Sequence, residues 1–71
     1  MPKIDRERIG EILSDPSFCA LVDEMKSALV RKVMARSTPE EDRANALAEH
    51  HALERLEAHM RSVHEAGIDY D

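Results

Sequence analysis

The sequence predicts an all-α fold, an antiparallel hairpin of two long helices preceded by one short helix. Three observations carry that expectation. Apolar residues recur at three- and four-residue steps along two long stretches. A capping side chain stands directly before proline twice, at Asp15-Pro16 and Thr38-Pro39. A glycine, Gly67, follows the last periodic residues, where a helix commonly ends.

The first helix is expected over about residues 6–13, capped by Asp5, with Ile9, Ile12 and Leu13 on one face. Gly10 weakens it, and a segment so short must pack on something to persist. The second helix is expected over about 16–36. Its stripe of Phe18, Leu21, Val22, Met25, Leu29 and Val33 should face a core, with Cys19, Val30 and Met34 as a second apolar set beside it. The third helix is expected over about 39–65. Thr38 and Glu41 form a capping-box pattern at its start, and Glu40, Glu41 and Asp42 suit the positive end of the helix dipole. Ala46, Leu53, Leu56, Met60 and Val63 follow a near-heptad seam, with Leu47 and His50 at its side. Gly67 and Ile68 would close the helix in a Schellman turn, Ile68 meeting Val63, and 67–71 would form a short tail. The link between the long helices is about two or three residues, Arg36 to Thr38, which makes them antiparallel neighbours. Helix 3 is the longer and should overhang helix 2, leaving helix 1 to fold against the overhang.

Seventy-one residues make a single domain, 1–71, with a marginal core. Chains of this size are usually reinforced by disulfides, a metal or a partner. Cys19 is the only cysteine, so no disulfide can form within the chain, and a reducing compartment is expected. Phe18 and Tyr70 are the only Phe, Tyr or Trp residues, too few to stack on single-stranded bases. The net charge of −5 opposes a general affinity for phosphate backbones, so nucleic acid is not an expected partner. Met1-Pro2-Lys3-Ile4-Asp5 turns charged at once, and no apolar run approaches the roughly 20 residues that span a bilayer. No membrane association is expected, and the expected location is the cytoplasm.

No catalytic or cofactor motif stands out, and an enzyme is not expected. Acid–base catalysis needs titratable groups in a concave, partly dry site, which a hairpin does not offer. His50, His51, His59 and His64 crowd helix 3, yet no two of them are three or four residues apart. Solvated or seam-edge histidines are therefore favoured over metal ligands, with pH-sensitive association as the alternative role. Cys19 near a helix start would have a lowered thiol pKa, but the favoured reading is a small buried hydrophobe.

The surface points to a partner. From Lys26 to Arg36 there are four basic residues and no acidic one, and three acids follow at 40–42. Helix-dipole compensation explains both clusters; a bipolar tip that docks on a complementary protein is compatible with it. The residues expected to touch a partner are Val30 and Met34 in the second stripe, Arg31, Lys32 and Arg36 in the basic cluster, and Tyr70 as an anchor in the tail. A homo-oligomer, or attachment to a larger assembly, would cover the surplus apolar surface.

Asp15-Pro16-x-Phe18 at the start of a long helix, the Thr38-Pro39 break, Arg43, and Ala52-Leu53-x-x-Leu56-x-x-x-Met60 complete a pattern over about residues 12–67. It resembles short helical proteins encoded among the head and packaging genes of tailed bacteriophages and prophages. Such proteins often have a tryptophan late in the second helix, and this chain has none. The resemblance implies a virion or assembly role and carries over no site residues. The leading expectation is a non-enzymatic structural or assembly-accessory protein of a phage-like particle, made in the host cytoplasm and incorporated in the virion. It would bind a larger virion protein through helix–helix and charge contacts. The alternative is a small acidic inhibitor of a host nucleoprotein, in which Glu40, Glu41 and Asp42 imitate phosphates. A third reading, a nucleic-acid-binding hairpin using the 26–36 patch, ranks below both.

Overall fold

The computed structural model describes residues 3–66, and these form three α-helices with no strand among them. Helix α1 spans Arg6–Ser14, α2 Pro16–Met34 and α3 Glu40–Ala66. The starts of α1 and α2 follow from local chemistry. The Asp5 carboxylate accepts from the amides of Glu7 (3.0 Å) and Arg8 (3.2 Å), and the Asp15 carboxylate accepts from the amide of Ser17 (2.9 Å). Pro16 occupies the first turn of α2, where a missing N–H leaves nothing unpaired. Helix α1 runs one residue past Leu13. The Ser14 hydroxyl donates back to the Gly10 carbonyl at 3.0 Å, and the Asp15 amide to Ile12 at 3.1 Å.

The link between α2 and α3 differs from expectation. Helix α2 stops at Met34 rather than Arg36, with Ala35 extended at φ −71°, ψ 128°, and α3 begins at Glu40. The connection is thus 35–39, longer than the two or three residues read from sequence. Arg43 organises it. Its Nε donates to the Val33 carbonyl and its Nη2 to that of Ala35, both at 3.0 Å, with a longer Nη2 contact to Thr38 at 3.4 Å. One guanidinium from α3 thereby satisfies carbonyls at the end of α2, which would otherwise lack partners. The capping box at Thr38 does not form. The Thr38 amide donates to Ala35 (3.2 Å), and Pro39 supplies the carbonyl that accepts from the Arg43 amide at 2.9 Å.

The core is small. Val22, Ala46, Met60 and Val63 are its buried hydrophobic side chains among the described residues, and Gly10 is buried with them. Both predicted stripes are wider than the surface available to cover them. Of the α2 stripe only Val22 is buried; Phe18, Leu29 and Val33 are half-buried, and Leu21 and Met25 are exposed. On α3, Leu56 and Leu47 are exposed and Leu53 is half-buried. The physical reason is that two long helices meet along one line. Side chains lying to either side of that line need a third layer, and α1 is too short to provide one along the whole length.

Helix α1 packs on the last turns of α3. The His64 ring lies over Gly10 and its Nδ1 stands 3.2 Å from the Arg6 carbonyl, which fixes Nδ1 as the protonated nitrogen. A Cβ on residue 10 would fall 2.6 Å from Nδ1 and 2.9 Å from Nε2 of that ring. The glycine that weakens α1 as a helix is therefore what leaves room for the His64 ring above it. The expected Schellman pair, Gly67 with Ile68, and the tail beyond lie outside the described residues.

Candidate interaction surface

Polar links cross between α2 and α3 at two levels. Lys26 of α2 pairs with Glu57 of α3, and Arg43 near the start of α3 reaches Val33 near the end of α2. The hydrogen bond that the Lys26 ammonium donates to Glu57, outweighing desolvation, holds it above the ordinary lysine pKa.

On either side of this contact line lies an apolar groove. The first, open to solvent, is lined by Leu29, Val30, Val33, Met34, Leu47 and His50. Met34 is 76% exposed, Leu47 54% and Val30 48%. The second is lined by Met25, Leu29, Glu49, Ala52, Leu53 and Leu56, and Leu21 (57% exposed) lies one turn before Met25 on α2. Helix geometry explains why there are two. Nine residues turn an α-helix through about 180°, so Leu21 opposes Val30, Met25 opposes Met34, and Leu47 opposes Leu56. Each helix sends apolar side chains to both faces of the pair.

Of the residues expected to meet a partner, the structure brings Val30 and Met34 together in the first groove. Arg31, Lys32 and Arg36 are exposed around the end of α2 but do not line it. Tyr70 lies outside the described residues. Sequence reasoning missed Leu47 and His50 as the opposite wall. The nine-residue step from Leu47 to Leu56 was the available signal, because two residues so spaced cannot both face one seam.

The remaining chemistry-bearing residues are dispersed. His50 Nδ1 stands 3.3 Å from Glu54 Oε1, His51 is exposed, and His64 is engaged with α1. Among the described residues no three His, Cys, Asp or Glu side chains converge as metal ligands, and no polar or charged side chain is buried. Cys19 is exposed rather than buried, its thiol directed to the Leu13 carbonyl at 3.2 Å. It lies on the side of α2 shared with Val30, which α1 and α3 leave uncovered. No described helix is long and apolar enough to cross a membrane. Compared with protein-family models, with curated proteins and with solved structures, the chain shows no match.

Proposed function

We propose that this chain is a non-enzymatic antiparallel helical hairpin that serves as a structural or assembly-accessory protein of a phage-like particle. It binds a larger virion protein through helix–helix contacts, with Arg31, Lys32, Arg36 and the tail residue Tyr70 adding charge and anchoring contacts. The observation that carries this reading is the apolar surface on both faces of the α2–α3 pair, with Val30, Met34 and Leu47 on one and Leu21, Met25 and Leu56 on the other. Contiguous apolar strips rimmed by charge are association surfaces in small proteins. The grooves are shallow and largely apolar, which favours a helix face over a polar substrate as occupant. The particle itself comes from the sequence resemblance.

The test is affinity capture on the tagged chain from particle-producing cells, followed by mass spectrometry. A head or packaging protein is the expected companion, and replacing Leu56 with Glu should reduce its recovery. Capture of host regulatory or defence proteins with no virion component overturns the proposal.

A further inference from the structure

The two grooves are not equivalent, and the one lined by Val30, Met34, Leu47 and His50 lies nearer the α2–α3 turn. The chain is more extended than a compact globule of its length. Its radius of gyration is 15.1 Å, against about 11 Å for a compact chain of this length. Its accessible surface is 5723 Å², roughly 1,200 Å² more than a compact monomer of 8.1 kDa exposes. That excess covers the roughly 800 Å² that one partner contributes to a stable interface.

We propose that two copies stack through the groove of Val30, Met34, Leu47 and His50 to form a two-fold four-helix bundle. The proposal rests on the reading of α2 and α3 as an antiparallel hairpin with exposed strips as contact surfaces, and not on the identity of any larger partner. Two symmetric stackings of one face are available. In the first, the two-fold axis runs along the helices, both turns lie at the same end, and α2 of each copy lies over α3 of the other. In the second, the axis crosses the helices and the turns lie at opposite ends. Sequence position decides between them. The apolar groove occupies only the half nearest the turn; farther along α2 the same side carries Asp23 and Ser27. The second stacking would seat Met34 against that polar half, whereas the first stacks groove on groove.

Charge favours the same choice. The end of α2 carries Arg31 and Arg36 with no acid from Lys26 to Arg36, while Glu40 at the start of α3 is 92% exposed in its side chain and Glu54 56%. With α2 of one copy over α3 of the other, the basic end of each α2 meets the acidic start of the other copy's α3, and the symmetry makes this contact twice. Neighbouring helices are antiparallel in either stacking, the arrangement that suits side-by-side packing in a bundle, so position and charge make the choice.

The test uses the full chain in sedimentation equilibrium together with distances between nitroxide labels on Ser37→Cys in a Cys19→Ser background. The expected result is a species of twice 8.1 kDa with an inter-label distance far shorter than the 43 Å length of one copy. Met34→Glu should raise the dissociation constant at least roughly thirtyfold, the loss typical of a central apolar anchor. Circular dichroism should show its helix content unchanged, since that side chain is exposed. Leu56→Glu, on the other face, should leave the dimer intact. A chain that stays monomeric at high micromolar concentration overturns the proposal. So does a label distance at or beyond the length of one copy, or a dimer broken by Leu56→Glu and not by Met34→Glu. A virion partner captured by a monomeric chain would leave the proposed function standing and remove this inference alone.

Discussion

The two ends of the molecule are held by different chemistry. At the α1 end three helices meet, and there Val22, Met60, Val63 and Gly10 are buried. At the turn end only two helices meet, and Ala46 is the one buried apolar residue nearby. That half is tied instead by the Arg43 guanidinium on the carbonyls of Val33 and Ala35, while Lys26 and Glu57 link the helices farther along. Val30, Met34 and Leu47 remain in solvent beside the turn. The contrast teaches that burial needs a third layer. Where α1 supplies it, methyl groups do the holding; where it does not, directional polar bonds set the geometry and the methyl groups are left for something else.

The largest expected effect follows from the apolar end. Met60→Ala removes the largest of the four core side chains and should cost about 2–4 kcal/mol in urea denaturation, with helix content falling cooperatively. A cost under about 1 kcal/mol would show that the three-helix end is no firmer than the turn.

Next comes the polar end. Arg43→Ala leaves the Val33 and Ala35 carbonyls to water and should cost about 1–2 kcal/mol. Arg43→Lys should rescue little, because an ammonium cannot serve two separate carbonyls with a planar fork. Hydrogen exchange should report the loss first at the amides of 33–38. Full rescue by lysine would reduce the clamp to a simple charge effect.

A smaller effect separates packing from helix propensity at the α1 end. Gly10→Ala should gain about 0.5–1 kcal/mol from propensity alone, but the native His64 ring occupies the space its Cβ needs. The gain should therefore appear in a His64→Ala background and vanish in the native one. Additive free energies in this double-mutant cycle would mean that the ring swings away without cost.

The smallest effect concerns Lys26. Its pKa is raised in the folded state, chiefly by the hydrogen bond it donates to Glu57. The stability contributed by the pair is thus complete below the ordinary lysine value and lost as pH rises through the higher folded one. The urea midpoint of the native chain should fall toward that of Lys26→Met in strongly alkaline solution. A constant gap between the two across that range would show that the pair adds only packing.

Helix starts were legible in the sequence because capping is local: Asp5 and Asp15 bond amides two or three residues away. The end of α2 was not, because its carbonyls are claimed by a side chain eight and ten residues farther on, and the competing Thr38 pattern was the more visible signal. Gly10 read as a defect, since nothing in its neighbourhood announces a ring 54 residues away. The main stripes of α2 and α3 are legible, but the sequence assigns all of their residues to a core. Periodicity shows which residues share a helix face and is silent on how much of that face another element covers. Val30 and Met34 were recognised as surplus from α2 alone; their opposite wall, Leu47 and His50, required the pairing of the two helices.

The principal extents of 43, 25 and 20 Å make a single copy a rod. The 27 residues of α3 account for about 40 Å of that length. Such a rod reorients faster about its long axis than end over end, so amide vectors along α3, which lie close to that axis, relax at rates unlike those in the 35–39 turn. Stacking a second rod alongside would thicken the particle without lengthening it and bring the two rates together. The shape of this chain thus makes rotational diffusion a readout of whether it is alone.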